Sequence, residues 1–302
     1  MSASCSGNCD SCGESCSSRS PESLLAPANK LSNVKHVIAV VSGKGGVGKS
    51  TVALCAAVEL GRRGKTVALV DADAGVRNLD MMLGAENRIV FDLLDVIEET
   101  ATLKQATIEM KQYAGVSLIS AAQTQEQDAF PEGALERILK KLCKQYDYVI
   151  VDCPTGIGSI VRSVLACCDE AILVTTPDNV AIRDADHMAG ILSRIGRAHP
   201  CLIVNRVRMH LRASGEVYDG KTIAQTLDAS FLGEVPEDEA VYCCMLRQTP
   251  PTESEGAASD ALKQCIAAML GECKAKLLEV PEHNHTPHGF FARIFRAKGI
   301  EE

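Results

Sequence analysis

The sequence predicts a doubly wound α/β fold with a mostly parallel sheet, of the P-loop NTPase kind, and three observations carry that reading. Short apolar runs recur along the chain and alternate with segments of helical spacing, as strands buried on both faces do when helices connect them. A glycine-rich turn joins the first run to the first helical segment. Acidic residues sit at the ends of two runs, where open α/β sheets place their binding loops.

Residues 1–33 differ in composition from the rest of the chain: they are small and polar, with Pro21 and Pro27 and no helical or alternating period. They read as a flexible N-terminal segment. Cys5, Cys9, Cys12 and Cys16 lie within it in the spacing C-x3-C-x2-C-x3-C. Four thiolates so close together can surround one zinc ion or one iron–sulfur cluster, and the spacing does not choose between them.

The globular domain is expected over 34–280. The run from His36 to Val41 reads as its first strand, and Val52, Cys55, Ala56 and Leu60 give the helical spacing after it. Between them, Gly43, Gly48, Lys49 and Ser50 satisfy G-x-x-x-x-G-K-[ST]. Glycines let the backbone wrap phosphates closely with its N–H groups turned inward, and the helix N-terminus adds a positive dipole end. Lys49 then reaches the outer phosphates, and the Ser50 hydroxyl holds magnesium. The binding loop is Gly43, Gly45, Gly46, Val47, Gly48, Lys49, Ser50 and Thr51. Gly43, Gly45 and Gly48 also fit the dinucleotide pattern G-x-G-x-x-G, but a bridging pyrophosphate needs no lysine at the helix start. The pair Lys49-Ser50 decides for a nucleoside triphosphate.

Further strands are expected at 66–70, 116–119, 148–151, 171–174 and 201–204, and helices near 132–145, 158–167 and 181–195. A closing amphipathic helix is expected over 257–278. Asp71 and Asp73 follow the run at 66–70, and Asp152 follows the run at 148–151. An acid at such a strand end holds magnesium, usually through water, and a second orients the attacking water. Asp152 and Asp73 fit these roles better than Asp71.

Residues 281–289 form a polar linker in which His283, His285 and His288 read as solvated rather than metal-bound. In the segment after it, Phe290, Phe291, Ile294 and Phe295 share one helical arc of about 140°, opposite Arg293 and Arg296. It is too short to span a bilayer but suits its interface, with the arginines near anionic headgroups.

The chain has 302 residues and a net charge of −8, so it carries no overall basic footprint for nucleic acid. Aromatic residues make up 4 % with no Trp, too few for base-stacking platforms along a single strand. There is no run of about 20 apolar residues and no signal-peptide pattern, which points to the cytoplasm. Its 14 cysteines are then read first as metal or redox groups.

The loop GKGGVGKST has a second lysine, Lys44, directly after its first glycine. In this it resembles the deviant Walker A class of P-loop ATPases that includes the MinD, ParA and Mrp families. DADAGVRNLDMMLG (71–84), VDCPTGI (151–157), TTPDNVAIRDADH (175–187), GEVPEDEAV (233–241) and GFFARIF (289–295) resemble the MinD family in particular. That resemblance implies an ATPase that dimerises when ATP is bound, with Lys44 reaching the partner's nucleotide and Lys49 its own. It implies Asp73 as a switch acid, Asp152 as the Walker B acid, and Asn205 and Arg206 at the base. The sequence Asn205-Arg206-Val207-Arg208 lacks the acid with which N-K-x-D reads guanine, so ATP with Mg2+ is expected. The resemblance further implies cycling on the inner face of the cell membrane to position the division site, with MinC-like and MinE-like regulators. The cysteine segment instead is similar to Mrp-type iron–sulfur carriers, and this gives an alternative function as a cluster carrier. The paired C-x-x-C of those carriers is missing here, where Cys243 and Cys244 are adjacent.

Overall fold

The computed structural model describes residues 36–74, 77–121, 130–131 and 133–279. Its strands are β1 (His36–Val41), β2 (Val67–Asp71), β3 (Thr107–Glu109), β4 (Val116–Ile119), β5 (Tyr148–Asp152), β6 (Glu170–Thr175), β7 (Cys201–Val207) and β8 (Ser230–Pro236). They form one sheet in the order β3-β4-β2-β5-β1-β6-β7-β8. β3 pairs antiparallel with β4 and every other pairing is parallel.

The first helices are α1 (Lys49–Arg62), α2 (Leu79–Met82), α3 (Leu93–Ile97), α4 (Leu103–Ala106) and α5 (Ala134–Leu142). They are followed by α6 (Ser159–Cys167), α7 (Asn179–Arg194), α8 (Met209–Ala213), α9 (Gly220–Leu227), α10 (Glu239–Leu246) and α11 (Ala257–Met269).

The period of two in a strand explains why the central runs are apolar throughout. Val37, Ala39 and Val41 of β1 face one core, with α5, α6 and α7, while Ile38 and Val40 face the other, with α1 and α11. α1 packs against β1, β2, β5 and α11 at once, which accounts for its burial on nearly every side.

Two strands escape the apolar-run reading. β3 has three residues, too few to show a period. In β8 the run is broken by Gly233 and Glu234, and both have local reasons. A Cβ on Gly233 would lie 2.6 Å from Cys265 Sγ of α11. Glu234 is buried and accepts hydrogen bonds from the N–H groups of Gly220 (2.6 Å) and Leu278 (2.8 Å).

The closing helix is shorter than the expected 257–278, because α11 ends at Met269. Gly271 adopts a left-handed φ of 72° and donates to Ala268, while Glu272 donates to Ala267, a double bond pattern that seals a helix end. The chain then bridges Lys276 to Gly233 in parallel with β8. The linker, the Phe290–Phe295 segment and the four N-terminal cysteines lie outside the described residues. No helix among the described residues is long and apolar enough to cross a membrane.

Candidate nucleotide site

The site lies at the carboxyl edge of the sheet, where β2, β5, β1, β6 and β7 end in that order. Gly46 and Gly48 take left-handed φ values of 77° and 94°, which only glycine adopts freely. β7 fastens this loop from outside. Asn205 Nδ2 donates to the Val47 carbonyl at 2.8 Å, and the Arg206 guanidinium donates to the Gly46 carbonyl at 3.2 Å. In a trans peptide the N–H points opposite to the C=O, so these bonds turn the N–H groups of Val47 and Gly48 away from β7. That is the polarity an anion cradle at a helix N-terminus requires. A Cβ on Gly48 would come within 2.2 Å of Asn205 Nδ2, and one on Gly43 within 2.2 Å of the Asp184 carbonyl in α7. The loop is thus wedged between α7 and β7.

Lys49 opens α1 and is 5 % exposed. Its ammonium donates to Asp152 Oδ1 at 2.6 Å and lies 4.0 Å from Asp73 Oδ2. Burial is the largest influence on Lys49 and opposes its charge, but attraction and hydrogen bonding from Asp152, with further attraction from Asp73, hold its pKa above the usual value. Burial raises the pKa of Asp73, with repulsion from Asp152 adding to it and Lys49 opposing. Burial, reinforced by Asp152, pushes the Asp71 carboxyl up to about 8.

Asp71 and Asp152 are register partners on β2 and β5, so the two carboxyls emerge together. Asp71 Oδ1 accepts from the Asp73 N–H at 3.0 Å, and its Oδ2 from the Leu79 N–H at 3.4 Å. Asp71 therefore anchors the segment that carries Asp73, a positioning role that its place at a strand end did not reveal. Asp152 Oδ2 is buried and has no hydrogen-bond partner among the described residues. An unsatisfied carboxylate oxygen beside a second carboxylate fits a hard divalent cation that binds oxygen.

Lys44 stands outside this cluster. Its ammonium lies 3.5 Å from Asp178 Oδ1, and its side chain is 42 % exposed. Asp178 caps α7 by accepting from the Ala181 N–H at 3.0 Å. Burial works against its charge, but the Thr176 hydroxyl, that N–H and Lys44 together hold its pKa below the usual value.

Arg206 also bonds Glu237 at 3.0 Å, and Arg208 bonds the other oxygen of the same carboxylate at 2.6 Å. On one side of the Arg206–Glu237 pair is a cavity of about 580 Å³ bordered by Gly48, Thr51, Asn205, Pro236, Val241 and Tyr242. On the other is one of about 360 Å³ bordered by Lys44, Gly45, Asp178, Arg208 and Leu211. The structure thus brings together every loop residue expected from the sequence, with Asp73, Asp152, Asn205 and Arg206. Glu237 and Tyr242 were not singled out, because nothing in the linear sequence sets β8 and α10 against the loop.

A sequence profile of the ParA family, described as NUBPL iron-transfer P-loop NTPase, matches residues 33–270. The septum site-determining protein MinD of Bacillus subtilis (strain 168) is 38 % identical over 268 residues, covering 88 % of this chain and 98 % of that protein. The MinC:MinD cell division protein complex of Aquifex aeolicus contains a similar chain, with a TM-score of 0.71 and 31 % identity over 82 % of this chain and 98 % of that one. MinD of Pyrococcus horikoshii OT3, solved with Mg-ADP, has a TM-score of 0.70 and 28 % identity over 79 % and 98 %.

Proposed function

We propose, from the premise that this chain belongs to the ParA family of P-loop NTPases and is a MinD-like deviant Walker A ATPase, that it couples ATP-driven pairing of two copies to attachment at a membrane, and so determines the division site. The observation that carries the reading is the placement of Lys44. It lies beside the loop yet points to Asp178 rather than to the acid cluster around Lys49, so it is available to a second copy.

In the cycle this reading implies, Lys49 exchanges Asp152 for the outer phosphates of ATP. Asn205 has committed its NH2 to Val47, which leaves its Oδ1 to accept from a base; adenine offers an exocyclic amine there, whereas guanine offers an acceptor. Ser50 and Asp152 would hold Mg2+, the latter through water, and the ion supplies charge neutralisation between the phosphates when bound. Asp73, held by Asp71, orients the attacking water. Lys44 of a second copy neutralises charge developing in the transition state, much as an arginine finger does, so hydrolysis waits for pairing.

Residues 276–278 run alongside β8 in its own direction, so the chain heads toward the edge of the sheet that carries the loop. Two tails carrying Phe290, Phe291, Ile294 and Phe295 then act together, and avidity converts two marginal anchors into stable attachment. A MinC-like protein is the expected partner of the ATP-bound pair, since MinC accompanies the Aquifex aeolicus relative, and a MinE-like activator would trigger release. The deciding experiment is co-sedimentation with vesicles containing anionic lipid. The full chain is expected in the pellet with ATP and in the supernatant with ADP, and removal of 289–302 is expected to abolish pelleting. Nucleotide-independent pelleting, or an unaffected truncation, would refute the reading.

A second reading is favoured by the iron-transfer description of the matching family and by the four N-terminal cysteines. It makes the chain a carrier whose Cys5, Cys9, Cys12 and Cys16 hold an iron–sulfur cluster or zinc. Anaerobic purification with visible absorbance and metal analysis tests it; a colourless, metal-free protein refutes it.

A further inference from the structure

Tyr242 is two-thirds exposed at 67 %, and among the described residues it is the sole aromatic side chain left so open. It borders the cavity of about 580 Å³, together with Val241 and Met245 of the same helix. Positions 241, 242 and 245 fall on one side of α10, so that side faces the cavity. The helix is fixed from behind: Cys244 is buried, Asp238 Oδ1 caps it through the Ala240 N–H at 2.8 Å, and Asp238 Oδ2 accepts from Ala258 of α11 at 3.4 Å. A rigid helix thus presents an aromatic ring left open among the described residues.

The chemistry of the cavity says which part of a ligand would cover it. Glu237 and Glu239 border the cavity with Arg206, and Arg206 and Arg208 are both engaged by Glu237, so this wall has no surplus of positive charge for phosphates, which belong at the glycine loop. Pro236, Val241 and Met245 supply apolar walls. A flat, uncharged heteroaromatic group suits this environment, and an aromatic side chain gains most from such a group by stacking on its face.

We infer that Tyr242 is a positioning residue that stacks on the nucleotide base and closes the outer side of the base site. This rests on the nucleotide reading above and deepens it. The affinity of the chain for a nucleotide then has two separable parts, a phosphate part at the loop and a stacking part at α10. Stacking is indifferent to which edge of the base is read, so Tyr242 contributes tightness while Asn205 contributes selection.

The experiment compares two probes on the full chain, Mg-ADP and inorganic tripolyphosphate, by isothermal titration calorimetry. Tyr242→Ala is expected to weaken Mg-ADP binding about tenfold, with tripolyphosphate binding unchanged within about twofold. Tyr242→Phe keeps the ring and is expected to restore Mg-ADP binding to within about twofold of the unaltered chain. Unchanged Mg-ADP affinity in Tyr242→Ala would overturn the inference, and so would an equal loss for both probes, which would mark a structural role. An unaltered chain that binds Mg-ADP no better than tripolyphosphate would overturn the base-site reading itself, and the inference with it.

Discussion

Replacing Lys49 with methionine tests the electrostatics of the site without any ligand. The ammonium it removes is bonded to Asp152 at 2.6 Å, and the side chains of the pair are 6 % and 0 % exposed. Asp152 Oδ2 has no hydrogen-bond partner among the described residues, so the variant leaves a buried carboxylate with little to compensate it. Breaking such a pair from one side costs about 3–5 kcal/mol, whereas neutralising both partners together is close to neutral. Lys49→Met should therefore lower the unfolding free energy of the nucleotide-free protein by about 3–5 kcal/mol, or on the order of 10 °C in Tm. The double variant Lys49→Met/Asp152→Asn should recover most of that loss, a coupling of about 2–3 kcal/mol. Urea unfolding followed by circular dichroism at neutral pH measures each species, with an unchanged denaturant slope as the control. A Lys49→Met protein within about 1 kcal/mol of the parent, or additive single effects, would refute the reasoning.

Three other outcomes follow from the same geometry. Gly48→Ala forces a left-handed φ of 94° on alanine and sets a Cβ 2.2 Å from Asn205 Nδ2, so Mg-ADP affinity should drop at least tenfold by calorimetry; retained affinity would show that the loop has slack. Asp71 has a folded pKa raised from 3.8 to about 8, so the stability it contributes is full below pH 4 and is lost as pH rises through 8. The unfolding free energy of the nucleotide-free protein should fall from pH 5 to 8 by up to about 1.4 kcal/mol per pH unit and level off above 8, and Asp71→Asn should flatten that slope; an equal slope in both would remove Asp71 as its source. Asp178→Asn keeps an acceptor for the Ala181 N–H but frees Lys44 from a half-exposed partner, so ATP hydrolysis at low protein concentration should rise about two- to fivefold in a coupled phosphate-release assay, and a fall would show that Asp178 helps rather than holds Lys44.

The parts of the fold that were legible in the sequence were those written as periodic apolar runs. The central strands are buried on both faces, so their runs are continuous and their ends easily read. β8 was hidden because its glycine makes room for Cys265 and its buried glutamate accepts backbone N–H groups from two separate segments. The end of α11 carried its signal in Gly271, but the apolar spacing beyond it continued and outweighed that glycine in the reading. At the site, the clustering of Lys49 with Asp73 and Asp152 was legible because each lies at the loop or at a strand end. The anchoring by Asp71 was not, since it depends on N–H groups two and eight residues away. Nor was the facing of Tyr242 toward the loop, which arises from the order of β7 and β8 in the sheet.

If Lys44 acts on the nucleotide of a second copy, ATP turnover per protomer depends on protein concentration, and measuring it for the unaltered chain and for Lys44→Ala reads that dependence. The unaltered chain should turn over faster per protomer as its concentration rises, then level off once paired, while Lys44→Ala should stay at the lowest rate throughout, at least a hundredfold below the plateau. Turnover by Lys44→Ala that matches the unaltered chain at every concentration would contradict the account.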